Sequence, residues 1–311
     1  MDAEMIIFSG NSNRPLSEKI ASYLDIPLGA ATVGQFADGE SRIELGCNVR
    51  GRDVFIIQST SAPANHNIME AVIMADAARR ASARTVNLVM PYFGYARQER
   101  KSAPRTPITA KLVADLITAA GVSRLITLEL HTGAIQGFFN IPVDHLFAKP
   151  IFSTYFRKTE TMLMVSPDAG GVERARALAK MYDCGLAIID KRRDRPNEST
   201  VMNLVGDVKG KDCILVDDIC DTAGSLSKAA KALMEEGASS VRACVSHAVL
   251  SGPAIETITN SALTEFVCTD SILLSPEANK CSKIVQLSIA ELIGKALRRI
   301  HNADSISSLF V

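Results

Sequence analysis

Short runs rich in Ile, Val and Leu alternate with longer amphipathic stretches along the whole chain, and this alternation limits the folds open to it more than any other feature. The apolar runs are residues 5–8, 54–58, 86–90, 124–128, 162–165, 186–189, 213–216, 241–245, 265–268 and 284–287. Helical periodicity marks 67–80, 109–120, 172–182 and 226–236, with a helical tail at 289–301. A strand–helix–strand rhythm of this kind predicts an α/β fold of mostly parallel sheets covered by helices. The strand runs are nearly unbroken apolar segments, as strands buried on both faces require.

The pattern also repeats. Gly51-Arg52-Asp53-Val54-Phe55-Ile56-Ile57 lies over Gly210-Lys211-Asp212-Cys213-Ile214-Leu215-Val216. Each copy runs on into a polar loop, a helix and a small-residue turn, Ala83-Arg84-Thr85-Val86 against Ala238-Ser239-Ser240-Val241. Shared α/β grammar alone can imitate a repeat this short, but the length of 311 residues also suits two domains of one kind. We expect an N-terminal domain at 1–146 and a C-terminal one at 147–311, with the C-terminal tail able to pack on the first.

Charge narrows the partners. Lys plus Arg number 34 and Asp plus Glu 34, so no bulk positive field exists to draw nucleic acid or an anionic membrane. No apolar run approaches the roughly 18 residues of a membrane span. The start, Met1-Asp2-Ala3-Glu4, is acidic where a secretory signal is basic. Seven cysteines, odd in number and without a CxxC pair, argue for reduced thiols and against a disulfide framework or a zinc site. A cytoplasmic protein is expected.

Five loaded loops follow strand runs: 91–107, 129–140, 166–171, 191–198 and 217–225. Ligands of parallel α/β domains bind beyond the carboxyl ends of the strands, so these loops are the candidate site. The most specific is Asp217-Asp218-Ile219-Cys220-Asp221-Thr222-Ala223-Gly224-Ser225, after the buried run ending at Val216. Free backbone N–H groups at the following helix start, with the Thr222 and Ser225 hydroxyls, suit one phosphate. Asp217 and Asp218 suit vicinal sugar hydroxyls or Mg²⁺. A phosphorylated sugar fits both halves. The plainer alternative is a helix capped by Asp221 or Ser225 beside surface acids.

This loop resembles the phosphoribosyl-diphosphate (PRPP) loop of type I phosphoribosyltransferases and of ribose-phosphate diphosphokinases. Its counterpart in the first repeat, Gln58-Ser59-Thr60-Ser61-Ala62-Pro63-Ala64-Asn65, lacks the acids and the Thr-Ala-Gly-Ser turn. Further motifs are similar to the class I ribose-phosphate diphosphokinase set in that family's order. They are Phe36-Ala37-Asp38-Gly39-Glu40, the stretch from Tyr92 through Arg97-Gln98 to Arg100, Leu130-His131, Ser166-Pro167-Asp168-Ala169-Gly170-Gly171, and Lys191-Arg192-Arg193.

The resemblance implies two phosphoribosyltransferase-like domains and a Mg²⁺-dependent transfer of the β,γ-diphosphoryl group of ATP to the 1-hydroxyl of ribose 5-phosphate. The products, PRPP and AMP, would feed nucleotide, histidine and tryptophan synthesis. It assigns ATP to Phe36, Asp38, Gly39, Glu40, Arg97 and Gln98, with the Phe36 loop reaching a neighbouring subunit. Ribose 5-phosphate falls to Asp217, Asp218, Asp221, Thr222, Ala223, Gly224, Ser225 and Arg193, catalysis to Lys191 and Arg193, and the metal to His131 and Asp168. Arg50, Ser82, Ser305 and Ser307 resemble a regulatory phosphate site, with ADP and inorganic phosphate as effectors of a homohexamer. Read without the resemblance, 36–40 is an exposed turn, the 191–195 run a solvated charge patch, and His131 an ordinary hydrogen-bonded loop residue.

The sequence departs from the family pattern at Glu129, Thr132-Gly133-Ala134, Glu99 and Asp194, which leaves allostery less secure than catalysis. Two rival readings stay open at this stage: a phosphoribosyltransferase consuming PRPP, and a non-catalytic regulatory subunit of the diphosphokinase.

Overall fold

A computed structural model describes residues 4–192 and 201–309. Its chain divides into two compact units. Unit 1 is Met1–Phe147, Ser271–Leu273 and Ser288–Val311; unit 2 is Ala148–Asp270 and Leu274–Leu287.

Unit 1 contains β1 (Met5–Ser9), α1 (Arg14–Leu24), β2 (Ala31–Gln35), β3 (Ser41–Leu45), β4 (Asp53–Ile57), α2 (Ala64–Arg80), β5 (Thr85–Met90), α3 (Thr109–Ala119), β6 (Arg124–Leu128) and β7 (Val143–Leu146). Unit 2 contains α4 (Lys149–Tyr155), β8 (Met162–Ser166), α5 (Val172–Tyr182), β9 (Gly185–Arg192), β10 (Val201–Val205), β11 (Asp212–Cys220), α6 (Gly224–Glu235), β12 (Ser240–Ala248), α7 (Ala254–Asn260), β13 (Glu265–Thr269), α8 (Pro276–Lys280) and β14 (Ile284–Leu287). The chain then returns to unit 1 with α9 (Ala290–His301).

The first sheet runs β1-β4-β5-β6-β7, all parallel. The second runs β10-β9-β8-β11-β12-β13-β14, parallel except for the edge strand β10. The order β8-β11-β12-β13-β14 thus reproduces β1-β4-β5-β6-β7, and the repeat extends to single bonds. Asp53 pairs in register with Thr85 and accepts from its hydroxyl at 2.7 Å; Asp212 pairs with Ser240 and accepts at 2.9 Å. Gly51 and Gly210 both sit at positive φ, +71° and +70°, and donate to Ser82 and Gly237. Those two acceptors are themselves left-handed, a conformation that favours glycine, so Ser82 is the strained member of the pair.

Apolar burial explains the layers. Val54, Ile56, Leu88 and Leu125 face Ala71, Met74, Ala78, Val113 and Ile117 of α2 and α3. Helix α1 packs against β1, and α9 packs against α1. Close packing of these two helices is set at Gly294, where a Cβ would stand 2.4 Å from the Tyr23 ring, and the Arg298 guanidinium lies 5.4 Å from that ring's centroid. In unit 2 the core joins Leu163, Val165, Leu215, Val241, Ala243 and Phe266 to Leu226, Ala230 and Leu233 of α6.

Two expectations are corrected. The segment from Asp217 is not a loop throughout: β11 continues to Cys220, paired with β12 as far as Ala248. Likewise β9 runs to Arg192, so Lys191 stands on a strand. In both places the strand outruns one neighbour and stays paired to the other, β12 for β11 and β10 for β9, so ladder hydrogen bonds hold the polar residues extended. The apolar-run reading also passed over β2, β3, β7 and the edge strand β10. The first two are short, half-buried strands whose burial alternates, and β7 carries Asp144 and His145.

Candidate functional site

In unit 2 the carboxyl end of β11 presents Asp217 and Asp218. The Asp217 carboxylate accepts from the Asp218 N–H at 2.9 Å, and Arg174 on α5 places Nη1 3.3 Å from Asp218 Oδ1. Burial first, then the neighbouring Asp218 charge, pushes the Asp217 carboxyl well above the usual carboxylate range; Asp168 pushes the same way and Arg174 opposes it. Negative charge is therefore crowded where β8 and β11 end, and a hard divalent cation or hydroxyl donors would relieve it.

The turn that follows opens onto a helix start with no side-chain cap. Ala223 holds the cap position at φ +61° and accepts only through its carbonyl, from the Ser227 N–H at 2.9 Å. The first amides of α6 are the unsatisfied donors an anion needs. Asp221 is turned to the side, its carboxylate accepting from the Ser251 hydroxyl and its carbonyl from the Ser251 N–H. Beside this turn, Asp168 Oδ1 accepts from Gly171 N at 3.0 Å. A Cβ on Gly171 would meet Ser166 Oγ at 3.0 Å, so glycine lets that loop lie close to its neighbours.

Unit 1 carries the other motif residues. Phe36, Asp38, Gly39 and Glu40 form the exposed tip of the β2–β3 hairpin. Phe36 N donates to Glu40 O, Gly39 takes φ +92°, and the Phe36 ring is 53% exposed with the Arg42 guanidinium 5.9 Å from its centroid. Arg97 and Gln98 lie in the loop after β5. That loop is fixed from below by Gly94, whose N donates to Thr60 Oγ1 at 2.6 Å, and Gln98 Oε1 accepts from Thr109 Oγ1 at 2.6 Å.

His131 follows β6. The residue two before it, Glu129, adopts φ +43°, a left-handed conformation that Asp tolerates better than Glu. Thr132 donates to Glu99 Oε2 at 2.6 Å, so two of the departures from the family pattern meet each other and tie the His131 loop to the Arg97–Gln98 loop. Arg50 donates to Ser82 Oγ at 3.2 Å, and the Ser305 and Ser307 hydroxyls lie 3.1 Å apart. His131 belongs to unit 1 and Asp168 to unit 2. Among the described residues no group of three His, Cys, Asp or Glu forms a metal cage. Arg193 lies outside the described residues, as does the side chain of Lys191.

Arg174 was not among the sequence candidates, because within 172–182 it reads as one more helical surface cation. The available signal was its place in the first turn of the helix that follows Asp168-Ala169-Gly170-Gly171. The lost loop of the first repeat also becomes legible. Gln58 stands at the Asp217 position, and its Oε1 accepts from Ser12 N at 3.1 Å and Ser12 Oγ at 2.7 Å. A Cβ on Gly10 would be 2.3 Å from that same oxygen, so the crevice in unit 1 is filled by its own side chain.

Residues 5–121 match the family model for the N-terminal domain of ribose phosphate pyrophosphokinase, and residues 191–311 that for the phosphoribosyl synthetase-associated domain. The chain is 56% identical over 309 residues to a ribose-phosphate pyrophosphokinase of Rhizobium meliloti (strain 1021), covering 98% of this chain and 100% of the relative. To one of Bacillus anthracis it is 54% identical over 312 residues, covering 100% and 98%. The crystal structure of phosphoribosylpyrophosphate synthetase from Mycobacterium smegmatis matches with a TM-score of 0.91 at 37% identity, covering 96% of this chain and 99% of that one.

Proposed function

The chain belongs to the ribose-phosphate pyrophosphokinase family, and on that premise we propose that it transfers the β,γ-diphosphoryl group of ATP to the 1-hydroxyl of ribose 5-phosphate, giving PRPP and AMP. The observation that carries this reading is the uncapped start of α6 beside Asp217 and Asp218. One end of a phosphorylated sugar meets free amides there and the other meets carboxylates.

In this reading the 5-phosphate lies on Thr222, Ala223, Gly224 and Ser225, and the sugar hydroxyls donate to Asp217, Asp218 and Asp221. Fixing the sugar from both sides aims its anomeric oxygen at the β-phosphorus and removes the orientational cost of a bimolecular step. ATP is held by Phe36, Asp38, Gly39 and Glu40 with Arg97 and Gln98, the guanidinium making charge-assisted bonds to phosphate oxygens. Lys191 and Arg193 neutralise charge on the β-phosphoryl oxygens as the diphosphate changes partners.

Asp168 offers Mg²⁺ a carboxylate beside the crowded Asp217–Asp218 charge, and His131, a nitrogen donor, is assigned to the metal on the family resemblance, acting through water. When bound, Mg²⁺ would withdraw charge from the triphosphate oxygens, and substrate phosphates would complete a shell for which the described residues alone supply too few ligands. We place the enzyme in the cytoplasm as a homohexamer, with Arg50, Ser82, Ser305 and Ser307 receiving a phosphate-bearing effector such as ADP or inorganic phosphate. No described helix is long and apolar enough to cross a membrane.

The test is ³¹P NMR of the purified protein with ribose 5-phosphate, ATP and Mg²⁺, omitting each in turn. AMP and a sugar diphosphate in equal amounts, formed only in the complete mixture, are expected. ADP with free phosphate would make it a hydrolase or γ-phosphate kinase. Tight nucleotide binding without turnover would make it a regulatory subunit, and base-dependent consumption of PRPP a phosphoribosyltransferase.

A further inference from the structure

Glu70 is fully buried in α2, and among the described residues no lysine or arginine is paired with it. Its Oε1 accepts from Gln58 Nε2 at 2.6 Å and Asn11 N at 2.7 Å. Its Oε2 accepts from Asn11 Nδ2 at 2.8 Å and lies 3.5 Å from His66 Nε2. Burying a carboxylate among neutral donors is costly, and the fold does not demand it. When the buried stripe of α2 (Ala71, Met74, Ala75, Ala78) is laid on that of α6 (Leu226, Ala229, Ala230, Leu233), Glu70 falls opposite Ser225 of the sugar-phosphate turn. Gln58, its partner, falls opposite Asp217. Unit 1 has therefore exchanged an acid and a hydroxyl for an amide and an acid, and the two satisfy each other across a crevice that unit 2 keeps open.

The same carboxylate holds the β2–β3 hairpin at two points. Asn11 Nδ2, bound to Glu70, also donates to Val33 O at 3.1 Å. His66 Nδ1 lies 3.1 Å from Gln35 Nε2, one residue before Phe36. His66 thus stands between the two, its Nδ1 within hydrogen-bond distance of the Gln35 amide and its Nε2 within ion-pair distance of the Glu70 carboxylate. Both grips act on β2, the strand that leads into Phe36, Asp38, Gly39 and Glu40.

We propose that Glu70, acting through His66 and Asn11, is a positioning residue that fixes the angle of the Phe36–Glu40 hairpin for nucleotide binding. The proposal rests on the assignment of ATP to that hairpin. A bracket of this kind sets the affinity for one substrate and leaves the other untouched, which a residue needed only for packing would not do.

The experiment compares steady-state kinetics of the full-length enzyme and its Gln35→Leu, His66→Phe and Glu70→Gln variants, with thermal melting of each and Asp38→Asn as the control. Gln35 is exposed and His66 partly so, which keeps the first two variants foldable even if Glu70→Gln is not. The expected result is a rise of roughly fivefold or more in KM for ATP in Gln35→Leu and His66→Phe. The KM for ribose 5-phosphate and the melting midpoint should stay put. Equal changes in both KM values, or none in either while Asp38→Asn raises the KM for ATP, would overturn the positioning role alone. No change in Asp38→Asn would overturn the hairpin's assignment to ATP, and the positioning role with it.

Discussion

Arg174 sets its guanidinium 3.3 Å from the Asp218 carboxylate, with side-chain exposures of 17% and 6%, so the second acid of the 217–225 segment faces a fixed, largely buried cation. Without that cation Asp218 would be a charge in a dry place beside a second carboxylate, and removing one partner of such a pair is far more damaging than the pair is stabilising.

Arg174→Gln should therefore raise the KM for ribose 5-phosphate by about tenfold or more while the KM for ATP moves little. Arg174→Lys should recover part of the loss, since a point charge replaces some of what the fork supplies. Equal effects on both substrates in steady-state kinetics would show a general disturbance of unit 2.

Lys191→Ala should lower kcat at least ~10²-fold, the usual effect of deleting one group that stabilises transition-state charge. Near-normal turnover in a quench assay of AMP formation would remove Lys191 from the mechanism.

Gly94→Ala would bring a methyl group to 2.4 Å from the Thr60 carbonyl oxygen, backbone against backbone. We expect a loss of about 1–3 kcal/mol in urea unfolding and a raised KM for ATP, because the loop that must shift carries Arg97 and Gln98. Unchanged ATP kinetics with lowered stability would separate the loop from nucleotide binding.

Burial alone would raise the Asp53 carboxyl, but hydrogen bonds from Arg84, Thr85 and His301 outweigh it and hold it below its ordinary value. A carboxyl with a lower pKa folded than unfolded contributes stability that is complete above the unfolded value and is lost as pH falls through the folded one. The protein should thus lose stability progressively below about pH 4. Asp53→Asn should be less stable at neutral pH and show a flatter acid limb. Parallel pH profiles in denaturant unfolding would count against the network.

Burial pushes the Cys220 thiol up to about 12 and the Cys213 thiol to about 11, whereas Cys47 is exposed. Brief alkylation at neutral pH followed by peptide mass spectrometry should label Cys47 and spare both buried thiols, since thiolate is the reactive form. Early labelling of Cys220 would mean that the turn after β11 opens in solution.

Periodicity and local chemistry determined much of this protein: the alternation of strands and helices, the doubled domain, and the candidate-site segment whose acids, hydroxyls and small residues are contiguous from Asp217 to Ser225. Each of those signals is carried by neighbours in the chain. What only the tertiary structure decided depends on residues far apart in sequence. Whether Asp217 ends a strand or begins a loop is settled by pairing with β12. Arg174 meets Asp218 because α5 packs beside β11. Ser288–Val311 joins unit 1 because Gly294 lets α9 close on Tyr23. Glu70 is invisible as a site residue until Asn11, Gln58 and His66 converge on it. A side chain's chemistry can be read from its letter, but its charge state and its partners are set by burial and by contacts that no local pattern encodes.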